Sequence, residues 1–273
     1  VGPYSGYGTQ GTQSVALGYE AGGTVQGAGS VAVGYRAGKG TQGANAIAIG
    51  DNSGLSNQGA GSIAIGSQAG EGTQSANAIA IGQNAGASTQ GIDSVAIGQN
   101  TGKTNQGNYS VAIGYQAGQG TQGNYAVAVG RDSGEIVQGF ASVAVGWLAG
   151  ERTQGNYSVA VGRSAGWTAQ GTQNVAVGYL AGSGTQGNYG IAVGAQSAQY
   201  SQGTQSIAIG YQAAYSAQGA NAIAIGYEAG EGTQSADAIA IGKGAGKGSQ
   251  GSSAVAIGNI AGQTAQGSNA VAV

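Results

Sequence analysis

Apolar and polar positions alternate along this chain with a fixed beat. Val111-Ala112-Ile113 is followed by Gly114, by a polar Gly-rich stretch, and then by Val127-Ala128-Val129, sixteen residues on. Taking Ser14 as position 1, sixteen whole units run to Asn269, and partial units fill both ends without a break in phase. Positions 2 and 4 are always Val, Ile or Leu, with Ala always between them, as in Ile79-Ala80-Ile81 and Val255-Ala256-Ile257. β-Branched residues two apart predict a strand, because alternate side chains share one face. Gly at position 5 ends that strand in every unit, and a second Gly stands at position 9 except at Ala198 and Ala214. Positions 10 to 13 predict a weaker second strand, closed by Gly or Ser at position 14.

Self-similarity at a fixed period marks a solenoid. Two short strands and two Gly-marked corners in sixteen residues leave no room for a third side. The expected fold is therefore all-β: a parallel β-solenoid of the two-sided β-roll type, one repeat per coil, with about seventeen coils. Residues 1–273 read as one continuous array and as a fragment of a longer fibre. A helical repeat is discounted, since each Gly in a helix interior costs about 1 kcal/mol.

The pattern also predicts faces. Val111, Ile113, Ile79, Ile81, Val255 and Ile257 are expected to form the core, being the only sizeable apolar residues present in every unit. The Ala row between them (Ala96, Ala112, Ala128, Ala144) then falls on the outer face as a smooth strip, predicted to pack against another chain. Position 13 is Gln throughout: Gln10, Gln26, Gln42, Gln58, Gln74, Gln90, Gln106, Gln122, Gln138, Gln154, Gln170, Gln186, Gln202, Gln218, Gln234, Gln250 and Gln266. Stacked amides predict a hydrogen-bonded ladder. Position 12 tolerates Val137 and Ala169 beside Thr41, so which of positions 12 and 13 points inward stays open.

Composition narrows function more than fold. Gly supplies 59 of 273 residues, charged residues are 7%, and the formal net charge is −2. That balance offers no basic footprint for nucleic acid, and no apolar run is long enough to span a bilayer. Cys, Met and His are absent, which removes thiolates, imidazoles and the usual transition-metal ligands. No catalytic residue, metal site or cofactor is expected, because the repeat never breaks to seat an acid, base or nucleophile. Gly102-Lys103-Thr104 lacks the earlier Gly of a phosphate loop, position 97 being Ile. Four Asp residues are too few for a calcium-binding repeat array.

Aromatic residues collect at positions 6 and 16. Tyr109, Tyr115, Tyr125, Trp147 and Tyr157 fit ladder packing, with glycan contact as the alternative. Thr holds position 12 in eight of seventeen units, a poor match to an ice-binding face. Asn108 and Asn156 open N-glycosylation sequons, relevant to a eukaryotic secretory pathway.

The strings Ser94-Val95-Ala96-Ile97-Gly98 and Ala222-Ile223-Ala224-Ile225-Gly226, in a repeat whose strand-ending Gly is followed three positions on by a small residue, as Gly114 is by Ala117 and Gly226 by Ala229, resemble the YadA-like head repeat of trimeric autotransporter adhesins. The unit here is longer by the recurrent Thr-Gln-Gly segment. The resemblance implies a left-handed parallel β-roll, homotrimeric assembly and surface adhesion, with host-surface glycans or proteins as partners. Similar arrays also look like fibre proteins of phages and large viruses. The expected role is a non-catalytic extracellular fibre or adhesin segment, on a cell surface or virion, that self-associates and makes no membrane contact of its own.

Overall fold

A computed structural model describes residues 2–273. The described residues form thirty-four short strands and no helix, and they fall into two compact units, up to Phe140 and from Ala141 to Val273. Each coil contributes a three-residue strand at positions 2 to 4 and a two-residue strand at positions 12 and 13.

Within each unit like strands pair in parallel with strict sixteen-residue register. In the first unit Val95, Ala96 and Ile97 pair with Val111, Ala112 and Ile113, and Gln106 pairs with Gln122. In the second, Ile207, Ala208 and Ile209 pair with Ile223, Ala224 and Ile225, and Gln218 pairs with Gln234. Each unit is thus a parallel β-solenoid, as the periodicity predicts.

The corners rest on backbone that bends the unusual way. Gly114 has φ +128°, and a Cβ there would stand 2.6 Å from the carbonyl oxygen of Gly130 in the next coil, so position 5 accepts no side chain. Positions 7, 9 and 16 are left-handed: Gln116 has φ 55°, Gly118 φ 55° and Tyr109 φ 57°. Three left-handed residues and one Gly-only conformation per coil draw the two strands close together.

That closeness inverts the expected faces. Ala96, Ala112, Ala128 and Ala144 are fully buried, whereas Ile113 and Ile257 are 38% and 42% exposed. Ile79, Ile81, Val111 and Val255 are only half-buried. The predicted Val/Ile core is therefore the outer face, and the predicted outer Ala row is the core. The physical reason is volume. With the facing strand so near, two β-branched side chains per coil do not fit inside, but one methyl group does, and close packing leaves no slack to absorb the difference.

Four side chains per coil fill the interior: the small residue at position 1, Ala at 3, the small corner residue at 8, and Gln at 13. Runs such as Ala64, Ala69, Ala80, Ala85 and Ala96 form continuous clusters. In several coils a Ser at position 1 donates to the carbonyl three residues back, as Ser110 does to Gly107 at 2.6 Å and Ser206 to Gly203 at 2.7 Å. One coil departs from the small-residue rule. Asn174 is fully buried; its Oδ1 accepts from the N–H of Gly190 at 2.7 Å, and the position-1 neighbour that would crowd it is that Gly.

Candidate functional site: the amide ladder and the outer face of the long strand

The Gln column faces inward, and its geometry shows why no shorter amide would serve. From Gln26 to Gln250 every member is buried, while Gln10 is exposed and Gln266 half-buried. Each side chain crosses the coil from the short strand to the long one. Gln42 Nε2 donates to the carbonyl oxygens of Val31 at 2.8 Å and Ala46 at 3.2 Å. Gln218 Nε2 does the same to Ile207 at 2.8 Å and Ala222 at 3.1 Å. The parity left open by the sequence is settled, and position 12 lies outside.

Amide-to-amide bonds add the ladder itself. In the second unit it is unbroken from Gln170 through Gln186, Gln202, Gln218, Gln234 and Gln250 to Gln266, at 2.6 to 3.3 Å. In the first unit Gln74 donates to Gln90 at 3.1 Å and Gln122 to Gln138 at 3.0 Å. A buried amide oxygen left unpaired costs about 1–3 kcal/mol; the bonds remove that cost from Gln186 to Gln266, whereas the buried Oε1 atoms of Gln26, Gln42, Gln58, Gln74, Gln106, Gln122 and Gln170 accept no hydrogen bond. Gly at position 9 is part of the same arrangement: a Cβ on Gly118 would stand 3.2 Å from the Gln122 amide.

The outer face of the long strand is apolar. Positions 2 and 4 put two columns of Val and Ile there, and positions 16 and 6 flank them with aromatic residues. Along one coil the outward residues are Tyr109, Val111, Ile113 and Tyr115. Tyr109, Tyr115, Tyr125, Trp147 and Tyr157 are all at least two-fifths exposed. Most are engaged by neighbours within the chain. Tyr109 stacks on Tyr125 with centroids 5.1 Å apart and planes 13° apart. Arg131 lies over Tyr115 at 5.7 Å and Arg163 over Trp147 at 4.5 Å. The columns therefore read as ladder packing with an exposed outer surface.

Charged groups pair across coils at the rim. Glu20 meets Arg36 at 3.0 Å and Lys39 at 2.7 Å; Lys247 meets Glu228 at 2.5 Å and Glu231 at 3.1 Å. The Lys39 hydrogen bond is the main cause holding the Glu20 carboxyl below its ordinary range, with burial opposing it. Asn108, the first sequon residue, is tied down: its Oδ1 accepts from the N–H of Ile92 at 2.9 Å. Among the described residues there is no pocket and no cluster of three or more His, Cys, Asp or Glu side chains suited to a metal ion. No helix is long and apolar enough to cross a membrane.

Small side chains and a Gln ladder inside, with a β-branched ladder outside, define a parallel β-solenoid whose repeat carries its own lateral apolar face. The family model described as "YadA head domain repeat (2 copies)" matches residues 10–37, 74–101 and 201–229, about a third of the chain. Each matched stretch begins at the Gln column or one residue before it and ends on the small corner residue, Ala37, Thr101 or Ala229. The likeness thus rests on two long strands and the corners around them. No curated protein and no solved structure matches the chain.

Proposed function

We propose that this chain is a non-catalytic structural segment of a surface fibre or adhesin, which assembles side by side with further copies of itself, as a homotrimer, through the outer face of its long strands. The observation that carries this is the doubled Val/Ile column. Ile97, Ile113, Ile209 and Ile241 are each 37–38% exposed, and every other coil presents the same two positions. Exposed apolar strips of that continuity mark interfaces. A second copy supplies an identical strip with the same coil spacing, so the two ladders match without a special docking site. The YadA head matches support self-association and a surface location. A virion fibre would use the same face in the same way.

Light scattering on the full chain tests this. The expected result is an oligomer that persists on dilution, and that dissociates at higher concentration when Val111, Ile113, Val127 and Val129 are all changed to Thr. Thr keeps β-branching, so the β circular dichroism should be unchanged. A dilute wild-type monomer would sink the proposal.

A further inference from the structure

Tyr200 and Tyr215 stand in neighbouring coils of the second unit, and their backbones are tied: the N–H of Tyr200 donates to the carbonyl of Tyr215 at 3.2 Å. Their side chains converge as well. The phenol oxygens lie 3.4 Å apart, the ring centroids 5.1 Å apart, and the ring planes meet at 85°. Tyr200 is 56% exposed and Tyr215 half-buried, so oxidants in solution reach the pair. Tyr4 meets Tyr7 and Tyr19 edge-on at the longer centroid distances of 6.3 and 6.1 Å, and three more tyrosine pairs stack: Tyr19 with Tyr35, Tyr109 with Tyr125 and Tyr211 with Tyr227. Those meet through their ring faces, with planes 10°, 13° and 19° apart.

Composition gives a second, independent observation. The chain has no Cys, no Met and no His, but 14 Tyr and 2 Trp. The residues that ordinarily absorb oxidising equivalents first are missing, which leaves phenols and indoles to take them.

We propose that Tyr200 and Tyr215 form a site of oxidative phenol coupling, a covalent staple between adjacent coils made by a haem peroxidase with hydrogen peroxide as the terminal oxidant. Each phenol gives up one electron and its hydroxyl proton to become a phenoxyl radical. The two radicals join through a single C–C bond between the ring carbons ortho to the hydroxyls. Each ring then moves its ortho hydrogen to oxygen and regains aromaticity. Two electrons and two protons leave the pair, and one hydrogen peroxide is reduced to two waters. The coupling carbons are bonded to the carbons that carry the hydroxyls, so an oxygen-to-oxygen contact places them at the junction. Neighbours held this way see each other at an effective concentration of about millimolar or more. At micromolar protein, coupling within the pair therefore outruns coupling between molecules.

The test treats the full chain with a haem peroxidase and hydrogen peroxide, reading dityrosine fluorescence and the masses of cross-linked peptides. The expected product joins Tyr200 to Tyr215, is lighter by two hydrogens, and forms in the same yield per molecule on dilution. Tyr200→Phe and Tyr215→Phe should each abolish that product, because one of the two phenols is gone, and lower total dityrosine fluorescence about tenfold or more, since the remaining tyrosines lack the held hydroxyl contact; Tyr189→Phe, at an exposed tyrosine, should do neither. Both variants keep the ring, and circular dichroism checks that they fold. A yield that falls with dilution, cross-links spread evenly over the other tyrosine pairs, or undiminished dityrosine fluorescence in Tyr200→Phe would each overturn the proposal.

Discussion

Gln122 Nε2 lies 2.9 Å from the carbonyl oxygen of Val111, eleven residues back and on the opposite strand of the coil. The bond spans the interior, so the side chain is a strut as well as a filler. It also turns a backbone carbonyl, normally committed to sheet pairing, into an anchor for the next layer.

If the amides are struts, removing one in mid-ladder should cost much more than removing a surface residue. Gln218→Ala deletes the bonds to Ile207 and Ala222, takes the donor from Gln234 Oε1, and removes one of the acceptors of Gln202, which keeps those of Ile191 and Ser206. The expected loss is about 2–4 kcal/mol, from the cavity and the orphaned partners together. Thr233→Ala, at an exposed position 12, should change stability by less than about 0.5 kcal/mol. Urea denaturation of the two variants gives the comparison.

The inverted faces predict opposite outcomes for neighbouring residues. Ala112→Val adds bulk to a filled interior and should destabilise by about 1–3 kcal/mol. Val111→Thr, on the outer face, should leave the thermal midpoint of a dilute sample nearly unchanged and weaken association instead. A stable Ala112→Val variant would return the interior to the β-branched residues.

The two corner glycines should differ in how they tolerate Ala. At position 9 the cost is mainly the left-handed backbone, about 1–2 kcal/mol, and Ala198 and Ala214 already sit there at φ 45° and 49°. Ala214→Gly should therefore stabilise the chain slightly. At position 5, a Cβ on Gly210 would stand 2.4 Å from the carbonyl oxygen of Gly226. Gly210→Ala should disrupt local pairing, seen as fast amide hydrogen exchange in the flanking coils.

The Lys247 cluster predicts a modest pH dependence. The hydrogen bond from Lys247 lowers the Glu228 carboxyl below its ordinary 4.5, with burial opposing it. Hydrogen bonds to Glu228 and then Glu231 raise Lys247 above its ordinary 10.5. The depressed carboxyl contributes stability that is present above 4.5 and is lost as pH falls through its folded value. The raised ammonium contributes stability that is present below 10.5 and is lost as pH rises through its folded value. Glu228→Gln should flatten the acid limb of the thermal midpoint and reduce the alkaline one. Salt should flatten both in the wild type, since exposed pairs are screened.

The sixteen-residue phase, the two strands per coil, the Gly corners and the strict register are all legible in the order of the residues alone. Each depends on local preference: β-branched pairs make a strand, and only Gly adopts the backbone that position 5 requires. The Gln column was legible as a ladder for the same reason, since identical amides repeat at the coil spacing. Tyr200 and Tyr215 were not legible as a pair. They occupy different positions of the repeat, 11 and 10, and only the coil-to-coil offset brings their oxygens together.

Which face is the inside was decided by the tertiary structure alone. Periodicity says that Val111 and Ile113 share a side and that Ala112 has the other, but it is silent on which side meets the opposite strand. Hydrophobicity favours the larger pair. Three left-handed residues per coil bring the strands too close for that pair and leave room for a methyl group and an extended amide. Interior volume outweighed hydrophobicity and left the Val and Ile columns on the outer face.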